Sequence, residues 1–235
     1  MKSKLLVMNM KMYMDIDDVN DYISKVKDVP DNVIMCPESI YIPYFLENYK
    51  NIAIQSIYPV DSGAYTGCVS AKHAKKMGVN YVIVGHSECR KYLNISDYDV
   101  NKKLKSIIDN DVIPIMCIGE SLEDKMSSNS KKVLKSELDI GLDGINCDKI
   151  IIAYEPIYSI GTGNVPTNED IKDTISYIKD VIKDKGINAR VLYGGSVSSK
   201  NIEDLSKIDI VDGFMIGKAC ADVNEVLKII KLLSS

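Results

Sequence analysis

Residues 5–13 read Leu-Leu-Val-Met-Asn-Met-Lys-Met-Tyr, a short apolar run that passes into Asn9 and Lys11. A run of this length without polar alternation is typical of a strand that is buried on both faces. In an open doubly wound sheet, the turn after the first strand carries glycines that approach a dinucleotide. No glycine follows this run. The stretch therefore favours a closed barrel over an open sheet.

Seven further apolar, β-branched runs follow the first, at residues 33–36, 52–55, 81–84, 113–118, 150–154, 190–193 and 210–216. Segments with helical spacing lie between them, for example at 102–109, 171–182 and 223–233. Ser121 and the pair Thr167 and Asp170 are typical helix starts. Eight strands that alternate with helices, without a long linker, predict an α/β protein. We expect residues 1–235 to form a single (β/α)8 barrel domain.

Composition excludes several classes of partner. The 235 residues carry a net charge of −4, so no basic footprint for nucleic acid is present. No apolar run approaches the ~18 residues that span a bilayer, and Asn9 and Lys11 interrupt the first run too early for a signal peptide. Six scattered cysteines without C-x-x-C spacing indicate a reducing, cytoplasmic setting. We therefore expect no nucleic-acid partner and no membrane association.

Polar residues follow the strands where parallel strands of a barrel bring them to one mouth. Asn9 and Lys11 follow the first strand, His86 the fourth and Glu155 the sixth. A carboxylate beside an imidazole and an ammonium can remove a proton next to a carbonyl, with Glu155 as base and His86 and Lys11 stabilising the enediolate oxygen. No histidine–carboxylate cluster has metal spacing, so no metal is expected.

Glycine turns follow the seventh and eighth strands, as Gly194-Gly195-Ser196 and Gly217-Lys218. Backbone N–H groups at such turns bind an anion, and this is the usual position of a phosphate site in a barrel. The sequence thus predicts a small phosphorylated substrate. A different phosphate-handling barrel enzyme would keep the glycine turns without the lysine, histidine and glutamate.

Six motifs that run in order from Asn9 to Gly217 carry a family resemblance. They are N-M-K, Y-V-I-V-G-H-S-E, P-I-M-C-I-G-E, I-I-A-Y-E-P-I-Y-S-I-G-T-G, V-L-Y-G-G-S-V and D-G-F-M-I-G. Together they resemble the triosephosphate isomerase family. The resemblance implies a TIM barrel and a cofactor-free interconversion of glyceraldehyde 3-phosphate and dihydroxyacetone phosphate, in glycolysis and gluconeogenesis. A non-catalytic descendant that binds phosphosugars or acts as a scaffold is the alternative.

The resemblance also implies a role for each matching residue. Glu155 is similar to the family's base, His86 to its electrophile, Lys11 to its cation and Asn9 to a substrate contact. Residues 156–163 resemble its mobile lid. Further matching residues are implied to bind the phosphate: Gly161, Gly195, Ser196, Gly217 and Lys218, the last in place of the usual glycine. Three others are implied to support the site: Ser87, Cys117 and Tyr193, with Tyr193 as a latch for the lid.

The loop after the third strand, with Gln55, Tyr65 and Thr66, resembles the family's dimer loop and implies a homodimer. Three charged residues that normally surround this loop are replaced here by Cys68, Cys89 and Ile95. Replacement of a whole buried ion network can be neutral for stability, so we expect an apolar, still dimeric interface. Cys68 and Cys89 are expected to be buried thiols rather than a disulfide. Two tryptophans of the family are replaced by Met10 and Tyr158.

Overall fold

A computed structural model describes residues 3–160 and 166–234. Within those residues, eight parallel strands form one sheet in the order β2-β1-β8-β7-β6-β5-β4-β3. The strands are β1 (Leu5–Asn9), β2 (Val33–Cys36), β3 (Ala53–Ile54), β4 (Tyr81–Val84), β5 (Ile113–Ile118), β6 (Ile150–Tyr154), β7 (Ala189–Tyr193) and β8 (Gly213–Ile216). A parallel bridge between Met35 and Ile52 joins β2 to β3 and closes the ring. The prediction of a (β/α)8 barrel is confirmed.

The helices pack outside the strands. In the described residues they are α1 (Ile16–Lys25), α2 (Ile42–Leu46), α3 (Ala71–Met77), α4 (Ser87–Leu93), α5 (Asp97–Asp109), α6 (Leu122–Met126), α7 (Ser130–Gly141), α8 (Asn168–Asp184), α9 (Ile202–Ser206) and α10 (Val223–Ser234). Ser121 and Thr167 cap α6 and α8 through reciprocal hydrogen bonds with Asp124 and Asp170, so both predicted helix starts are confirmed. None of the described helices is long and apolar enough to cross a membrane.

Two apolar layers surround the strands. Side chains that point inward, among them Leu5, Ile83 and Ile151, fill the barrel, and a larger cluster lies between the strands and the helices. The barrel is therefore a packed core, and a ligand can bind only at its two mouths. Gly213 shows how tightly β1 and β8 are packed, because a Cβ at this position would lie 2.1 Å from the carbonyl oxygen of Leu5.

Strand boundaries differ from the predicted runs at four places. β1 extends to Asn9, one residue past the predicted run 5–8. β3 comprises only Ala53–Ile54 of the predicted 52–55, and β8 begins at Gly213 rather than at residue 210. β7 begins one residue earlier than predicted, at Ala189. Apolar character continues past the ends of the hydrogen-bonded ladder, so hydrophobicity alone does not locate those ends.

Candidate active site

A cavity of about 790 Å³ lies at the carboxyl ends of the strands. Two groups of the predicted residues line it. Asn9, Lys11, His86 and Glu155 carry the polar side chains, and Gly195, Ser196, Gly217 and Lys218 form the glycine turns. Gly161 and the end of the predicted lid lie outside the described residues.

Glu155 and His86 form a buried pair in this cavity. Glu155 follows β6 and is 3% exposed, and His86 follows β4 and is 5% exposed. The Nε2 atom of His86 lies 3.2 Å from Oε1 of Glu155. The backbone N–H of Glu155 donates to the carbonyl of Ile118 at 2.8 Å, which extends the ladder beyond β6 and holds the base in place.

The ring orientation of His86 is set by the helix that it caps. The backbone N–H of Glu88 donates to Nδ1 of His86 at 3.2 Å at the start of α4. Because Nδ1 accepts this hydrogen bond, the proton of the neutral imidazole lies on Nε2. Nε2 is also the atom that faces Glu155 and the cavity, so the neutral ring presents a hydrogen-bond donor to a bound molecule.

Opposing effects act on the pKa of His86. Burial lowers it, but the Glu155 carboxylate raises it by charge and hydrogen bonding, and the net shift is upward. Lys11 lowers the pKa and Glu88 raises it, each by a smaller amount. The upward shift therefore depends on the negative charge of Glu155 and disappears when that carboxylate takes a proton.

Replacing Glu155 with glutamine is therefore expected to lower the pKa of His86, because burial is the largest single effect and the charge of Glu155 no longer offsets it. A pH titration in which NMR monitors the imidazole signals measures the pKa of His86 directly, since the chain has only two histidines. His73 is exposed on α3 and serves as the internal reference. An unchanged or increased pKa of His86 in Glu155→Gln would contradict the electrostatic coupling of the pair.

Lys11 reaches the cavity from a strained backbone. Its φ of 51° lies in the left-handed region, which is uncommon for a lysine. The amide of Gln55 donates to the carbonyl of Lys11 at 2.7 Å, and the N–H of Lys11 donates to Oδ1 of Asn9 at 3.3 Å. The ammonium lies 2.6 Å from Oε1 of Glu88. Such strain persists only where surrounding contacts hold it, and it is frequent at functional sites.

The glycine turns form the other side of the cavity. Ser196 is tied to Ser159, because its hydroxyl donates to the Ser159 carbonyl at 2.6 Å and its N–H donates to the Ser159 hydroxyl at 3.3 Å. Gly217 lies against Lys11, since a Cβ there would be 3.1 Å from Cε of the lysine. The side chain of Lys218 is exposed at the rim. The arrangement brings backbone N–H groups and two ammonium groups to one end of the cavity.

The predicted supporting residues lie behind the lining. Ser87 is the first residue of α4, and Cys117 is buried on β5, where burial raises the pKa of its thiol well above the ordinary value. Tyr193 is buried at the end of β7. Its hydroxyl is shielded from solvent, and the Ser159 side chain opposes the increase in the pKa of Tyr193 that burial causes.

Sequence reasoning missed three residues that hold this site. Glu88 binds both Lys11 and the ring of His86, although it is the last residue of the motif G-H-S-E. A Cβ on Gly119 would lie only 1.7 Å from the carbonyl oxygen of Glu155, so the two backbones are in direct contact. Glu137 accepts the N–H of Gly119 at 2.8 Å, and burial raises the pKa of Glu137 to about 7. Glu88 and Gly119 each lie in a quoted motif, G-H-S-E and P-I-M-C-I-G-E, which was a signal for these two, whereas Glu137 lies in none.

The predicted dimer loop divides into two parts. Gln55 lies at the base of the loop and hydrogen-bonds to Lys11, whereas residues 60–68, which include Tyr65 and Thr66, are exposed. Both Cys68 and Cys89 are free thiols. The expectation that both are buried was wrong for this single chain, because Cys68 is exposed and Cys89 is half-buried. Cys68 is on the exposed part of the loop, which none of the described residues covers.

The described residues contain no group of three or more His, Cys, Asp or Glu side chains that could hold a metal ion. Within this part of the chain, the polar groups of the cavity include Lys11, His86, Glu155, Asn9 and the glycine turns. Acid–base and electrostatic chemistry are what these groups supply.

Comparisons with known proteins agree over nearly the whole chain. A family model described as triosephosphate isomerase matches residues 4–233. A triosephosphate isomerase of Clostridium botulinum (strain Langeland) is 36% identical, over 98% of this chain and 99% of the relative. Those of Clostridium tetani and Francisella philomiragia are 34% and 35% identical, over 98% and 97% of this chain and 96% of each relative.

Proposed function

The chain belongs to the triosephosphate isomerase family, and we propose that its barrel mouth interconverts glyceraldehyde 3-phosphate and dihydroxyacetone phosphate through an enediolate. The distance of 3.2 Å between His86 Nε2 and Glu155 Oε1, in a cavity that Lys11 also lines, is the observation that supports this most. A base and an electrophile in one buried site are what proton transfer next to a carbonyl requires.

Glu155 acts as the base that removes a proton from one carbon of the substrate and returns it to the neighbouring carbon. His86 donates from Nε2 to the substrate oxygen that becomes negative. The hydroxyl proton of the intermediate passes to that same oxygen, so that the other oxygen becomes the new carbonyl, and Nε2 of His86 is placed to relay it. Lys11 and Asn9 stabilise the same charge from the other side. Because Glu155 and His86 are nearly excluded from water, each of these interactions is stronger than it would be in solution.

The turns after β7 and β8 bind the phosphate in this proposal. N–H groups of Gly195, Ser196 and Gly217 surround it, and Lys11 and Lys218 add positive charge in a chain of net charge −4. Gly161 would add a further contact. The Ser159 side chain lowers the pKa of the buried Tyr193 hydroxyl through a hydrogen bond, and Ser159 lies within residues 156–163, which supports a role of Tyr193 as a latch for that segment.

A coupled assay with glyceraldehyde 3-phosphate tests the function. Turnover that depends on Glu155 supports the proposal. Tight binding of a phosphoglycolate-like anion without turnover would instead indicate the non-catalytic phosphosugar-binding protein. No observation on the described residues favours that second reading.

Glu88→Gln is expected to lower kcat/KM about fivefold, mainly by raising KM. The substitution removes the ion pair with Lys11, whose side chain is 12% exposed, and a pair of this kind contributes up to about 1 kcal/mol. Steady-state kinetics at low salt measure the change. Asp31→Asn breaks a fully exposed pair with Lys50 and is the matched control. An unchanged kcat/KM in Glu88→Gln would mean that Lys11 is held without Glu88.

We also propose that residues 1–235 act as one domain, in the cytoplasm, and as a homodimer joined through residues 60–68. Two features support the dimer. Tyr65 and Met12 are large apolar side chains with 42% and 81% exposure. Lys103 is buried beside Ser56 at 3.1 Å with no ion pair among the described residues, and burial lowers the pKa of this lysine.

Sedimentation is expected to show a dimer at micromolar concentration whose stability changes little between low and high salt. With Cys68, Cys89 and Ile95 in place of charges, few interface contacts are left for salt to screen. A monomer at that concentration would contradict the proposal, and dissociation by high salt would contradict the apolar interface.

A further inference from the structure

A second cavity, of about 850 Å³, lies at the opposite mouth of the barrel. The first residues of five strands line it, which locates it at the amino ends of the sheet: Leu5 of β1, Tyr81 of β4, Ile113 of β5, Ile150 of β6 and Ala189 of β7. It is larger than the active-site cavity, and its volume falls within the range that is usual for ligand pockets. Nothing in the proposed isomerase reaction uses this mouth.

The floor of this cavity is the open end of the barrel core. Tyr81 and Ile113 pack against the inward-pointing side chains and remain half-buried, so the lowest layer of the core is left partly uncovered. Ile151, which also lines the cavity, is buried. A planar ring system fits such a surface, because it can cover the apolar side chains and lie against the face of the Tyr81 ring.

The rim of the same cavity carries positive charge. Lys149, Lys183 and Arg190 are exposed there and have no ion pair or side-chain hydrogen bond within the described part of the chain. Two acidic residues, Asp148 and Asp212, also line the cavity. Asp212 is neutralised, because it lies 2.7 Å from the ammonium of Lys179 and accepts the N–H of Val191. Three unpaired cations therefore face one unpaired carboxylate, in a chain that is negative overall.

Arg190 also acts on the apolar floor. Both Arg190 and Tyr81 line the cavity; burial raises the pKa of Tyr81, and the charge of the Arg190 guanidinium opposes that increase. An arginine beside an aromatic side chain is suited to hold a flat, anionic molecule, because guanidinium binds phosphate through paired N–H groups.

We propose that this cavity binds a nucleoside monophosphate, with the base over Tyr81 and Ile113 and the phosphate between Lys149, Lys183 and Arg190. A phosphate monoester carries about −1.5 to −2 charges at neutral pH, which matches the excess of unpaired cations at the rim. The exposed amide of Asn188, also in the lining, can donate to and accept from the edge of a base. The site is independent of the isomerase reaction at the other mouth.

Calorimetric titration of the full chain with AMP tests this site, with adenosine and inorganic phosphate as separate probes. AMP is expected to bind at one site per chain. Adenosine and inorganic phosphate are each expected to bind at least about tenfold more weakly, because each of them lacks one of the two sets of contacts. Glycerol 3-phosphate, which fits the phosphate end of the active site, should leave AMP binding unchanged. Displacement of AMP by glycerol 3-phosphate, or equal binding of inorganic phosphate, would overturn the proposal.

Two charge-removing variants localise the binding. Arg190→Gln and Lys183→Gln are expected to weaken AMP binding about tenfold or more each. Lys132→Gln, an exposed lysine on α7 outside the cavity, is the matched control and should bind AMP normally. All three side chains are exposed, so the variants should fold and retain isomerase turnover. AMP affinity that is unchanged in both Arg190→Gln and Lys183→Gln would refute the site.

Discussion

Replacing Glu155 with glutamine is expected to lower kcat for triose phosphate isomerisation by about 10²–10⁴-fold, the usual contribution of a positioned general base. Glutamine has nearly the same shape, and its amide oxygen can still accept from Nε2 of His86, which lies 3.2 Å from the present carboxylate. The thermal unfolding curve should therefore stay unchanged. Steady-state kinetics and circular dichroism on the same preparation measure both quantities.

Two further variants sharpen this test. Glu155→Asp keeps the charge but withdraws the carboxylate by about one bond length, and a displacement of about 1 Å can cost 10²-fold in rate. Glu203→Gln removes an exposed carboxylate on α9 that does not line the cavity, and should have normal kinetics. A fully active Glu155→Gln variant would exclude Glu155 as the base and with it the proposed mechanism.

Gly119→Ala is expected to lower kcat about 10²-fold and the free energy of unfolding by about 1–3 kcal/mol. The new methyl group would lie 1.7 Å from the carbonyl oxygen of Glu155, and this neighbour is backbone, which cannot rotate away. The residue that must move is therefore the base itself. The rate should fall because the carboxylate loses its alignment with the substrate, even though its chemistry is unchanged.

Gly144→Ala separates this effect from a general loss of stability. Gly144 has a φ of +66°, where alanine is strained, but its nearest neighbours are the flexible end of Lys105 at 3.8 Å and 3.9 Å. We expect a comparable loss of unfolding free energy, about 1–3 kcal/mol, with unchanged kcat. Circular dichroism before each assay verifies that both variants are folded. A Gly119→Ala enzyme with near-normal kcat would show that the contact does not position Glu155.

Local sequence determined a large part of this protein. The capping boxes at Ser121 and Thr167 involve residues three positions apart, so they can be read without knowing the fold. Parallel strands bring their carboxyl ends to one mouth, and the polar residues that follow β1, β4 and β6 are therefore expected together as soon as the barrel is recognised. The composition of the candidate site follows from strand order alone.

Only the tertiary structure decided how those residues are held. The carbonyl of Lys11 is bound by Gln55, 44 positions away, and its ammonium by Glu88, 77 positions away. The contact of Gly119 with Glu155 and the unpaired cations at the opposite mouth likewise join segments that are distant in the chain. Periodicity and motifs report neighbours along the sequence, whereas these contacts depend on strand stagger and side-chain packing, which exist only once the barrel has closed.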